Sequence, residues 1–125
     1  MGIRQEKIDE LTQRELNEII RTVKDYRVAG YLINITAARV TRDLSVAKIY
    51  FAAIPSGGGA INSEEAKKIA QGLGSAAPYI RGELAKRLNL RLTPKLIFEY
   101  DSSVDNAMKI EKTLKELGQT GSNES

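Results

Sequence analysis

The sequence predicts an α+β domain, with helices packed on one face of a small three-stranded sheet. Alternation of apolar period is the first reason. Apolar residues recur at helical intervals before Gly30, at intervals of two after it, at helical intervals again from Ala66 to Leu88, and at intervals of two from Arg91. The second reason is a break: Pro78 interrupts the later helical stretch, so helix, kink and helix are expected there. A chain of 125 residues suits one domain and buries roughly two thirds of its unfolded surface without a covalent staple. The domain is expected over 1–117, and the polar segment 118–125 is expected to be a disordered tail.

From Ile3 to Val23, the residues Ile8, Leu11, Leu16, Ile19, Ile20 and Val23 form the stripe of an amphipathic helix, with Glu6, Glu10, Glu15, Glu18, Arg14, Arg21 and Lys24 on a solvated face. After Gly30, Tyr31, Ile33, Ile35 and Ala37 alternate with Leu32, Asn34, Thr36 and Ala38 as in a half-buried strand. A second strand spans Val46 to Ile54, with Ala47, Ile49, Phe51 and Ala53 on its apolar face and Val46, Lys48 and Tyr50 on the other. The short polar Thr41–Ser45 connection makes the two an antiparallel hairpin.

Pro55 to Gly59 reads as a flexible loop, and Asn62 with Glu65 has the spacing of a capping box. The helix that follows turns Ala66, Ile69, Ala70 and Leu73 inward, and the same phase runs on through Ala77, Ile80, Leu84 and Leu88. Pro78 is placed at the first position of the second helix, where its fixed φ suits. From Arg91 to Tyr100 a third strand is expected, with Leu92, Pro94, Leu96, Phe98 and Tyr100 on one side and Pro94 marking an edge. A last helix is expected from about Asp105 to Leu117, ended by Gly118. Strand order is left open.

Composition removes much catalytic chemistry. Cysteine and histidine are both absent, which excludes Cys/His metal sites, a thiol nucleophile, disulfides and a catalytic histidine. A carboxylate pair or magnesium site stays formally open, although Asp101 and Asp105 beside Ser102 and Ser103 fit a helix start better than a metal site. No cofactor is called for. No apolar run reaches the roughly 18 residues of a membrane span, and the acidic start does not resemble a signal peptide, so a soluble, cytoplasmic protein is expected.

Charge is segregated. Arg81, Lys86, Arg87, Arg91 and Lys95 stand against Glu83 alone, a net +4, and Arg39, Arg42 and Lys48 against Asp43 add +2. Cations near a nucleic-acid backbone release condensed counterions and so gain affinity. The candidate RNA-binding residues are therefore Arg42, Lys48, Arg81, Lys86, Arg87, Arg91 and Lys95, against the simpler reading of solvated surface charge. A regular pleat puts Lys48, Tyr50, Arg91 and Lys95 together on the open sheet face, while Arg81 and Arg87 flank the second helix's apolar stripe on opposite sides and Lys86 points away. Tyr50 stands as an isolated stacking platform, and the Gly57–Gly59 run lacks the residues of a phosphate-binding loop.

Three runs carry a family resemblance: Thr41-Arg42-Asp43-Leu44-Ser45-Val46-Ala47-Lys48-Ile49-Tyr50, Tyr79-Ile80-Arg81, and Arg91-Leu92-Thr93-Pro94-Lys95-Leu96-Ile97-Phe98-Glu99-Tyr100-Asp101-Ser102-Ser103. They resemble the successive signatures of the ribosome-binding factor A family, over about Ile8 to Leu117. Asp25 and Arg27 also fit, with Tyr26 where the family commonly has proline. The resemblance implies a type II KH-like domain that binds the small ribosomal subunit and assists late maturation and processing of its rRNA. It further implies a protein that is not an enzyme, cold-associated growth, and release aided by an assembly GTPase; a monomer is expected. In such proteins a kink carrying Ala-x-Gly replaces the Gly-x-x-Gly loop of true KH domains. Here Ala76, Ala77 and Pro78 occupy it; the proline departs from the pattern, and the kink is expected to survive. A module recognising ribosomal or assembly proteins, with only nonspecific RNA affinity, is the alternative.

Overall fold

The computed structural model describes residues 5–102. The first helix, α1 (Gln5–Ile20), buries Leu16, Ile19 and Ile20. It stops short of Val23 because its last turn tightens: the amides of Arg21, Thr22 and Val23 bond three residues back, and the Thr22 hydroxyl donates to the Ile19 carbonyl at 2.7 Å. Val23 still packs against the core.

Strands β1 (Tyr31–Val40) and β2 (Val46–Pro55) form the expected antiparallel hairpin, but β1 is not a regular pleat. The register shifts between Ile35 and Ala37, so Thr36 is an extra residue. Ile35 points inward, and beyond the bulge it is Ala38 and Val40 that are buried, not Ala37. Groups of α1 take up backbone bonds around this irregularity. Asn17 accepts from the Ile35 amide at 2.8 Å and donates to the Ile35 carbonyl at 3.1 Å, Gln13 donates to the carbonyls of Ile35 and Thr36, and Asp9 accepts from the Val40 amide at 2.9 Å. Asp9, Gln13 and Asn17 thus recur at the four-residue helical interval along the outer side of β1, covering an edge that would otherwise be left open.

The hairpin turn is held by its own side chains. Asp43 accepts from the Thr41 hydroxyl at 2.8 Å, the Ser45 hydroxyl at 2.7 Å and the Ser45 amide at 3.0 Å, and these bonds, led by the one from the Ser45 hydroxyl, keep its carboxyl below the usual range. Leu44 takes a left-handed conformation at φ 61° within this net.

Helix α2 (Ser63–Ser75) opens with the capping box in full: Asn62 accepts from the Glu65 amide at 2.8 Å, and Glu65 accepts from the Asn62 amide at 3.0 Å. Glu65 also accepts the Tyr31 hydroxyl at 2.8 Å, tying the helix start to β1. Ala76 alone separates α2 from α3 (Ala77–Leu88), closing one helix and opening the next, so Pro78 falls at the second helical position instead of the first. Asn89, left-handed at φ 53°, ends α3.

Strand β3 (Lys95–Tyr100) is shorter than its alternation suggests and runs parallel to β2, giving the order β1-β2-β3 with β3 at an edge. The segment from Arg91 to Pro94 stays out of the ladder, and Leu92 is 78% exposed instead of inward. Pro94 has no amide to donate, and the carbonyls of Thr93 and Pro94 are taken by Arg81. The core lies between the sheet and the helices, around Phe51, Ile49, Ile35, Ile69, Ile80 and Leu84. The predicted helix from Asp105 to Leu117 and the tail 118–125 lie outside the described residues.

Gly72 explains why α2 can approach the α1–β1 turn so closely. A Cβ there would meet Arg27 Cβ at 2.9 Å, Asp25 Oδ1 at 3.0 Å and Val28 Cγ1 at 3.2 Å, whereas one on Gly82 of α3 would meet nothing. Gly72→Ala is expected to destabilise by about 1–3 kcal/mol despite its better helix propensity, while Gly82→Ala should stabilise by up to about 1 kcal/mol. Urea unfolding of the two variants checks the opposite signs.

Candidate nucleic-acid interface

One face of the sheet carries the helices and the other is open. On the open face Arg39, Lys48 and Ile97 lie side by side across the three strands, Val46 pairs with Lys95 on one side of that row, and Ala37, Tyr50 and Glu99 follow on the other. Lys48 meets Glu99 at 3.4 Å, with both side chains nearly half exposed. Arg42 is exposed in the hairpin turn, which the Lys95 amide ties to the start of β3 by donating to the Ser45 carbonyl at 2.9 Å. Lys48, Lys95, Arg42 and Arg39 therefore gather toward one end of the sheet. Tyr50 is half-buried there between Ala37 and Glu99.

Arg91 is not on the sheet face. It is exposed in the connection leading into β3, four residues before the ladder begins, because the pleat on which its placement depended starts only at Lys95. Arg42, Arg91 and Lys95 have no ion-pair partner among the described residues.

The cations of α3 are differently employed. Arg81 donates from Nε to the Pro94 carbonyl and from Nη2 to the Thr93 carbonyl, both at 3.0 Å, and so fastens the β3 entry to the helix. Arg87 lies on the opposite side of α3 and donates to Glu15 and Glu18 of α1, both at 3.1 Å; these carboxylates, Glu15 first, raise its pKa. Glu15 and Glu18 are thus not merely solvated, as the charge pattern of α1 suggests, but link two helices. Lys86, 77% exposed, points away and meets Glu83 at 3.5 Å, its one ion pair among the described residues. The seven candidates accordingly divide into an open group, Arg42, Lys48, Arg91 and Lys95, and the α3 group, in which Arg81 and Arg87 join elements of the fold.

The kink is braced from the α1–β1 turn. Asp25 accepts from the Arg27 amide at 2.8 Å and from its Nε and Nη2 at 3.0 Å, and Nη2 also donates to Ser75 Oγ at 2.8 Å, one residue before Ala76. The Arg27 side chain holds the Asp25 carboxyl below the usual range. Ala76 and Ala77 are half-buried against the core, and Pro78 is exposed. Two features are missed by periodicity: Arg39, moved to the open face by the bulge, and the bracing role of Asp25 and Arg27, visible in sequence only as an Asp-x-Arg spacing before β1.

A small apolar cavity of about 90 Å³ lies beneath this end of the sheet, lined among others by Leu44, Leu84, Leu88 and Pro94. No group of three or more potential metal ligands occurs among the described residues, and no helix among them is long and apolar enough to cross a membrane.

An α+β domain whose helix pair is broken at one alanine, set against a sheet with a basic open face, belongs to the KH-like class. The model of the family "Ribosome-binding factor A" matches residues 4–114. The ribosome-binding factor A of Dictyoglomus thermophilum is 40% identical over 119 residues, covering 94% of this chain and 93% of that one, and that of Syntrophobacter fumaroxidans is 42% identical over 115 residues, covering 91% and 93%. The chain belongs to the ribosome-binding factor A family. The crystal structure of ribosome-binding factor A from Thermus thermophilus superposes with a TM-score of 0.62 at 25% identity, covering 77% of this chain and 94% of that one. A Thermus thermophilus homology model fitted into the cryo-EM map of a 30S complex with ribosome-binding factor A shares the fold, with a TM-score of 0.58 at 24% identity over 75% and 91% of the two chains.

Proposed function

We propose that this protein binds the small ribosomal subunit through its rRNA and assists late maturation and rRNA processing there. The gathering of Arg42, Lys48 and Lys95 at one end of the open sheet face carries this reading, with Arg91 alongside in the strand entry and Glu99 the only carboxylate among the described residues that engages the group. Cations set close together on one face gain affinity for a phosphate backbone by displacing its counterions. Family membership supports the subunit as partner. It supports equally a monomer acting in the cytoplasm without a catalytic step of its own, released with the help of an assembly GTPase and tied to growth in the cold.

Cosedimentation with purified small subunits, large subunits and naked small-subunit rRNA over roughly 50–200 mM salt tests the proposal. Affinity should favour the small subunit and fall steeply with salt on both the subunit and the naked rRNA. Binding to subunits that ignores salt would instead mean recognition of ribosomal proteins.

A further inference from the structure

The α1–β1 turn presents a second surface, away from the basic end of the sheet. Tyr26 is 80% exposed, the highest value among the large apolar and aromatic side chains described. Its setting is nevertheless rigid. Asp25 holds Arg27 through three hydrogen bonds, Arg27 is anchored to Ser75, and the Asp25 carbonyl accepts from the amides of Val28 and Ala29 at 3.0 Å. The Arg27 guanidinium carbon sits 5.3 Å from the centre of the Tyr26 ring, so a cation is fixed against the ring while most of the ring faces solvent.

Two exposed basic residues, Arg21 and Lys24, precede Tyr26 in the chain. Arg21 and Lys24 have no ion-pair partner among the described residues, while Asp25, the nearest acid in the turn, is consumed by Arg27. Tyr79, 46% exposed, is attached to the same turn by a 2.6 Å hydrogen bond between its hydroxyl and that of Thr22. An exposed aromatic plane on a braced turn, with exposed cations two and five residues before it in the chain, suits a nucleotide: the base stacks on the ring and the flanking phosphates meet the cations. A single ring without an apolar surround offers little to a protein partner, whose anchors need a water-excluded pocket.

We propose that Tyr26 is a stacking platform for one unpaired base of single-stranded RNA, with the adjoining phosphates carried by Arg21 and Lys24. This rests on the rRNA reading above and adds to it a contact of a different chemistry: a base plane, not backbone charge.

The chain contains no tryptophan, so Tyr26→Trp introduces a sole indole as reporter. The probes are a 12-nucleotide oligoadenylate and an abasic RNA of the same length and charge, at low salt, with the full-length protein. Oligoadenylate should quench the indole and the abasic strand should not. In the otherwise unmodified chain, Tyr26→Ala should weaken oligoadenylate binding about fivefold or more with an unchanged salt slope, and Tyr26→Phe should bind as the parent does. Lys24→Ala should instead shallow the salt slope by about 0.7. The proposal is overturned if Tyr26→Ala loses nothing, if it loses equally on the abasic strand, or if it weakens binding to whole subunits while leaving oligoadenylate untouched, which would place a ribosomal protein on the ring. Failure of the rRNA reading looks different, because the parent protein itself would then show no salt-dependent binding to subunits or rRNA.

Discussion

Replacing Phe51 with alanine is expected to destabilise the fold by about 3–5 kcal/mol. Phe51 is fully buried on β2, the central strand, pairs with Ile35 on one side and Tyr100 on the other, and meets the Tyr100 ring edge-on at 5.8 Å between centroids. Truncation therefore removes the apolar transfer gain and leaves a void whose walls, hydrogen-bonded strands on either side, cannot collapse into it. Domains of this kind are held by only about 5–15 kcal/mol, so the loss amounts to a large share of the total and should appear in urea unfolding as a much lower midpoint with little change in slope. Leu92→Ala is the informative companion. Regular alternation would place Leu92 on the apolar side of a strand, but it is 78% exposed before β3 begins, so its loss should stay within about 0.5 kcal/mol. A Leu92 cost comparable to that of Phe51 would mean that β3 extends further than the register shows.

Removing the open basic group together, as Arg42→Ala, Lys48→Ala, Arg91→Ala and Lys95→Ala in one chain, should make the slope of log affinity against log salt shallower by about 3 and weaken small-subunit binding by roughly 100-fold. Stability should barely move, because three of the four have no ion-pair partner among the described residues and the fourth has only an exposed contact with Glu99. The helical arginines should behave in reverse. Arg81→Ala strips the carbonyls of Thr93 and Pro94 of their donor and is expected to cost about 1–3 kcal/mol of stability with little change in salt slope. Subunit affinity and salt slope measured for both variants, beside their unfolding midpoints, decide the division. Loss of slope on Arg81→Ala and none on the fourfold variant would move the RNA contact from the sheet to the helices.

Local chemistry made much of this protein legible from its sequence. The three described helices and both hairpin strands announce themselves by period, Asn62 and Glu65 form the capping box that their spacing proposes, and Pro78 enforces a break because a residue without an amide cannot continue the ladder of α2. The open face of β2 was equally readable, since alternation alone puts Lys48 and Tyr50 opposite Ala47, Ile49 and Phe51.

The division of labour among the cations was not. Arg39 reached the open face only because Thr36 bulges, and the α1 side chains that take up the backbone groups at the bulge become its neighbours only in the folded chain. Arg81 and Arg87 look like Arg42 and Lys95 in a charge count, yet they face two backbone carbonyls and two carboxylates contributed by residues 12 to 72 positions away. Composition and period are properties of neighbours in sequence, and they determined the helices, the strands and the sign of the surface. Whether a given cation is left free for a phosphate depends on which distant acceptors folding brings within about 3 Å of it, and only the tertiary structure decided that.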